Sequence, residues 1–325
     1  MLQRSFLILM IFCLFSCGKS TDEKTTSAVL SATIFLSKGD CQSAIDVLEE
    51  NGRQDKNAHY LKTLSSAYAC RAKYSAVTFF ANDLGLTTNP APFGGSSIYS
   101  TSLSTVATTL QNDFYFRDMQ TAIDILLYAG GIPTTLEPTS LERSRYFTSD
   151  EAADIDSQLL FMMFAQLGKY MHYYGNGNAA GLKGAGTAGN KCFTSYNITA
   201  IVNPTLAALP ATCKGNPGSP HSDLSITIPS AATRKTRLCQ GVVLLNGIFD
   251  IIPSVLGSAT GTLATQSAAI TIASTAIAGL LKAADPSIGE VASTVNQTIC
   301  EDNTHVPVAK IETYFSYMFE DLFLP

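Results

Sequence analysis

The chain has 325 residues, a net charge of −5, 14% charged residues and 46% hydrophobic ones. A chain of this length can bury a large core, with about two domains as the starting expectation, and its Lys and Arg are scattered without a basic stripe, which argues against a nucleic-acid partner. Tryptophan is absent, so any stacking or anchoring role falls to the 13 Tyr and 17 Phe.

Residues 1–16 read as an export signal. Met1 to Arg4 carry the positive charge, and "SFLILMIFCLFS" is an apolar run of signal-peptide length, short for a bilayer span. The run ends in Leu14, Phe15, Ser16 and Cys17, followed directly by the polar "GKSTDEKTTS". This junction resembles the lipobox of bacterial lipoproteins, although Phe15 stands where that family usually has a smaller residue. The resemblance implies lipidation at Cys17, a polar tether over 17–26, and anchoring of the protein to a membrane by its acyl chains. Gly18 follows the cysteine where inner-membrane lipoproteins of enteric bacteria have Asp, so the implied location is the outer membrane, facing the periplasm.

Beyond the tether, two stretches nearly repeat each other: "GDCQSAIDVLEENG" from Gly39 and "RDMQTAIDILLYAG" from Arg117. Cys41, Ala44, Ile45 and Leu48 in the first, and Met119, Ala122, Ile123 and Leu126 in the second, fall on one helical stripe. Asp40 and Asp118 stand where N-caps belong, and Gly52 and Gly130 where a left-handed residue ends a helix. A weaker copy, "YSAVTFFANDLG", puts Ala76 and Phe80 where Ala44 and Leu48 stood. Each copy follows a partner helix ("SAVLSATIFLS", "NAHYLKTLSSAYACRA", "TSLSTVATTLQNDF"), so 27–130 reads as three helix-turn-helix units. The spacing and the small-then-large pattern (Ala44 with Leu48, Ala76 with Phe80, Ala122 with Leu126) resemble the tetratricopeptide repeat. That resemblance implies a solenoid with an exposed surface for a protein partner; an unrelated bundle of amphipathic helices is the alternative.

Cys13 lies in the signal and Cys17 carries lipid, leaving Cys41, Cys70, Cys192, Cys213, Cys239 and Cys300, an even number suited to an oxidising compartment. Six cysteines allow fifteen pairings. Antiparallel stacking sets Cys41 beside Cys70, Cys192 with Cys213 would close a local loop, and Cys239 with Cys300 remains. No CxxC pair exists and His59, His172, His221 and His305 are scattered, so no metal site is expected.

The remainder, 145–325, reads as a helical domain with an irregular insertion over 175–229. "TSDEAADIDSQLLFMMFAQLGKYMHYY" is a long helix whose acidic start, Asp150, Glu151, Asp154 and Asp156, lacks the EF-hand alternation and reads as solvated. In the insertion, Gly184, Gly186 and Gly189 have GxGxxG spacing without the flanking strand and helix that a dinucleotide site needs, and His221, Ser222 and Asp223 are sequence neighbours that cannot assemble a triad. From Ile251 to Leu281 no charge occurs, but Pro253 and nearby glycines interrupt the run and Ser, Thr and Gln dilute it, favouring a buried small-residue helix over membrane insertion. Tyr314, Phe315, Met318, Phe319, Leu322 and Phe323 give the final helix an apolar face for the core.

The expected fold is therefore all-α, a tetratricopeptide-like solenoid continuing into a helical domain with a disulfide-bearing loop. No cofactor is called for, and no HExxH, P-loop or GxSxG motif supports an enzyme. The expected role is a lipid-anchored periplasmic scaffold or binding module. The alternative is a solute-capture accessory of a transporter, since the architecture resembles the lipoprotein T components of tripartite transporters.

Overall fold

The computed structural model describes residues 20–79, 114–174, 192–196, 213, 224, 231–256, 271–272, 275–276, 278–283, 285–302 and 307–322. Among them there are helices and no strand. The main elements are α1 (Thr21–Ser37), α2 (Cys41–Glu50), α3 (Ala58–Arg71), α4 (Phe114–Leu127), α5 (Ser140–Arg143), α6 (Ser149–Tyr173), α7 (Ala231–Leu256), α8 (Ile288–Ser293), α9 (Gln297–Glu301) and α10 (Val308–Leu322). The signal and Cys17, all but Phe114 of the partner helix expected over 101–114, the GxGxxG spacing and the His221–Asp223 cluster lie outside the described residues.

Local chemistry sets the helix starts. Ser20 and Glu23 form a reciprocal capping box at α1, Thr148 and Glu151 form another at α6, and Asp40 and Asn57 accept backbone N–H bonds from Ser43 and Tyr60. Gly52 and Gly130 end α2 and α4 with φ of 81° and 88°, as the sequence led us to expect. At Gly130 space reinforces the backbone requirement, because a Cβ there would lie 2.6 Å from the Tyr146 ring.

The first three helices pack mutually, and α3, α4 and α6 repeat that arrangement. The two near-identical sequences thus take equivalent places: each runs between a preceding and a following helix, with α3 shared by both groups. Ala44, Ile45 and Leu48 are buried on α2, as are Ala122, Ile123 and Leu126 on α4. Each buried leucine contributes about 2–3 kcal/mol of transfer free energy.

Two expectations from the repeat need correction. Asp118 is not an N-cap: it lies inside α4, a turn after Phe114, and its buried carboxylate pairs with Arg71 through bonds of 2.7 and 2.8 Å. Ala76 does not take the place of Ala44 either. It opens the helical stretch Ala76–Thr78, capped by Ser75, and it is exposed while Phe79 turns inward and is fully buried. The place beside α3 belongs to α4; Phe80 is outside the described residues.

The core continues through α6 into α7, which crosses it closely. A Cβ at Gly241 would sit 2.7 Å from the Tyr170 ring, and one at Gly247 2.8 Å from Met163. By length and composition α7 could cross a membrane, but it packs against α6, α8, α9 and α10 and is a core helix. Pro253 does not interrupt it: the helix runs on to Leu256, with the exposed proline in its last turn. On α10, Tyr314, Phe315, Met318 and Phe319 are buried as expected, with the Phe315 and Phe319 rings stacked 4.1 Å apart; Phe323 and the Leu322 side chain are outside the description.

Charged pairs lock this half together. Asp156 is buried, contrary to the expectation of a solvated helix start, because Arg143 donates to it at 2.7 and 2.9 Å and the Ser140 and Ser254 hydroxyls complete its shell. Asp150, Glu151 and Asp154 are exposed. Arg234 and Glu312 make a second buried pair, at 2.7 Å, between α7 and α10.

Candidate functional groove

A groove of about 470 Å³ runs between α3 and α6. Ser66, Ala69 and Cys70 line it from α3, and Ser157, Gln158 and Phe161 from α6. These helices meet there because α3 presents small residues to α6: Ser65 and Ala69 are buried, and the Ser65 hydroxyl bridges the Ala122 carbonyl at 2.8 Å and the Met162 sulfur at 3.6 Å.

The rim is polar and internally ordered. Lys62 Nζ pairs with Asp154 Oδ2 at 2.7 Å, and the Gln158 amide donates to the Lys62 carbonyl at 3.1 Å and to Ser66 Oγ at 3.0 Å. The floor is apolar, with Met162 and Ala69 buried and Phe161 partly so, its ring 5.7 Å from that of Phe79. At one end Lys73 adopts a left-handed φ of 63° and ends α3 with bonds from its own N–H and that of Tyr74 to the Cys70 and Ala69 carbonyls. An apolar floor with fixed polar groups around it is the usual composition of a binding cleft.

The chemistry beside this same end of α3 is structural. Arg71 holds Asp118 and Gln42 while its guanidinium lies 4.8 Å above the Tyr68 ring and 5.1 Å from that of Phe114. Hydrogen bonding to Asp118 raises the Arg71 pKa, so this cation stays charged. Burial, with Glu49 accepting its hydroxyl, pushes Tyr68 up to about 12 and keeps it neutral.

The six cysteines form the three pairs read from the sequence: Cys41–Cys70, Cys192–Cys213 and Cys239–Cys300, each with Cα atoms 5.6–5.7 Å apart. The first ties α2 to the groove end of α3, and the last ties α9 to α7. Glu320 lies near Cys192 and Cys213 in a metal-like grouping, but both sulfurs are consumed by their bond, and the Glu320 carboxylate accepts from the Phe193 N–H and the Tyr196 hydroxyl at 2.8 Å. His59 is exposed on α3; His221, His305 and the His172 side chain lie outside the description. Sequence reasoning missed Lys62, Asp154, Gln158 and Phe161 as a group, since only the α3–α6 contact brings them together. Comparison of the chain with protein-family models, with curated proteins and with solved structures gives no match.

Proposed function

We propose that the chain is a lipid-anchored binding module of a bacterial cell envelope, held at Cys17 to the outer membrane and facing the periplasm, which engages a protein partner through the α3–α6 groove. The groove carries this reading, because it joins an apolar floor to a rim of preset polar groups on the face where the repeated helix group continues into α6. The sequence supports the address through its short apolar leader and the "LFSCG" junction. Three disulfides suit an oxidising compartment. The two overlapping helix groups support a tetratricopeptide-like stack, a class that binds partners on helix faces left uncovered.

Two measurements test the two halves of the reading. Labelled palmitate should enter the parent protein and not the Cys17→Ser variant; an unlabelled parent removes the anchor. A photo-crosslinker at Ser157 should capture one defined protein in cells, with the yield falling when Phe161→Ala is added, while a crosslinker at exposed Glu50 captures none of it. Equal capture from both positions removes the groove.

A further inference from the structure

A second cavity, of about 350 Å³, lies between α4, α7 and α9 and opens onto a broader cleft with which it shares Thr134, Gln297, Thr298 and Glu301. Its walls are fixed from several directions. The Cys239–Cys300 bond holds α9 on α7. The buried Asn296 donates to the Thr134 and Leu136 carbonyls, both at 2.7 Å, while its Oδ1 accepts the Thr298 N–H. Asn246 donates at 2.8 Å to the Val291 and Thr294 carbonyls, and Glu137 accepts the Val295 N–H at 2.8 Å. A cavity so framed exists before any ligand arrives, and its size falls within the roughly 300–1,000 Å³ of small-molecule sites.

The lining is asymmetric in charge. Asp124 contributes a carboxylate whose hydrogen-bond partner is an amide, Gln120 Nε2 at 2.9 Å. Glu301 contributes a second carboxylate, which accepts from the Thr236 hydroxyl at 3.1 Å and from the Gln297 amide. The cation of the lining, Arg237, lies 5.3 Å from the Tyr174 ring centre and donates at 3.3 Å to Gln240 of the same wall. Apolar surface comes from Leu127, Val243 and Leu244. Burial raises the Asp124 pKa to about 6, with the Gln120 hydrogen bond opposing. Among the described residues no cation is ion-paired with Asp124; a sheltered carboxylate in that position is costly, and a bound cation removes that cost.

We propose that this cavity binds a short aliphatic diamine, one ammonium group seated on Asp124, the second directed to Glu301, and the methylene chain on the apolar wall. This site is separate from the α3–α6 groove and stands or falls independently of the docking reading.

The test is calorimetric titration of the purified full chain with 1,4-diaminobutane, butylamine and 1,4-butanediol at pH 7.5. The diamine should give a saturable one-to-one isotherm, butylamine a weaker one and the diol none. Asp124→Asn should weaken diamine binding at least tenfold, and Glu301→Gln should bring the diamine down toward butylamine. On the unaltered protein, lowering the pH to 5 should weaken binding several-fold as Asp124 takes up its proton. The other charged groups about the cavity and its mouth are Arg237, Lys235, Glu301, Asp302 and Glu137, together with Tyr128, whose pKa burial raises to about 12. Absence of saturable amine binding, equal binding of the diol, or an Asp124→Asn protein that binds the diamine unchanged would each overturn the proposal. Because pH acts on the native sequence, the test survives a variant that does not fold.

Discussion

Enlarging Ala122 to leucine tests whether the repeated helix is repeated for packing. Ala122 is fully buried on α4, its carbonyl accepts the Ser65 hydroxyl of α3 at 2.8 Å, and its equivalent Ala44 is fully buried on α2. Three extra carbons at a fully buried position between packed helices must either displace neighbours or force an unfavourable rotamer, so the substitution should cost about 1–3 kcal/mol. Ala44→Leu should cost a similar amount, because α2 stands between α1 and α3 as α4 stands between α3 and α6. Glu50→Gln, on the exposed end of α2, should change stability by less than about 0.5 kcal/mol. Urea unfolding with disulfides intact measures all three, and the slope checks that the unfolded state is unchanged. If both alanine substitutions proved as harmless as the one at Glu50, the small residues would not mark helix crossings, and the similarity of the two sequences would reflect nothing more than shared amphipathicity.

Three further outcomes follow from the charges and cross-links. Arg143→Met alone should cost about 3–5 kcal/mol by leaving Asp156 buried without its cation, whereas the double substitution with Asp156→Leu should come close to the parent in thermal unfolding. Replacing Cys41 and Cys70 together by alanine should lower stability by about 3–4 kcal/mol in the chain-entropy account, since the bond spans 29 residues; non-reducing peptide mapping of the parent should recover the linked pair. Asp124 holds its proton more tightly folded, near pH 6, than at its ordinary 3.8. The sign is therefore that of a raised acid: its contribution is present below about pH 4 and is lost as pH rises through 6. Relative to Asp124→Asn, the parent should lose at most about 3 kcal/mol across that interval in urea unfolding.

What could be read in advance had local causes. The stripes of α2 and α4, the left-handed ends at Gly52 and Gly130 and the acidic start of α6 are written within a turn or two of sequence, and an even set of cysteines leaves few sensible pairings once the helices stack. What escaped was set by distance along the chain. Asp118 has the local signature of a cap, yet its partner Arg71 comes from another helix, and Asp156 sits among solvated carboxylates in sequence while Arg143 draws it inside. Asn296 reaches back to Thr134 and Leu136, and Asn246 forward to Val291. Neither has a periodicity to betray it. The α3–α6 groove and the Asp124 cavity were invisible for the same reason, since their walls come from segments that composition alone does not connect.

The Arg234–Glu312 bond also fixes an order of events. The ribosome makes α7 well before α10, so for a time the nascent chain carries an apolar helix, with mean hydropathy 1.6 over its most apolar 18 residues, whose Arg234 has no glutamate to meet and whose Asn246 has no Tyr314 hydroxyl, at 2.6 Å, to receive. An uncovered helix of that kind is what translocation chaperones hold and what a bilayer can take up. A premature stop after residue 256 and ahead of residue 308 makes that transient condition permanent, so loss of the last helix would strand α7 and expose the chain to quality-control proteases, while α1, α2 and α3, already sealed by Cys41–Cys70, stay folded.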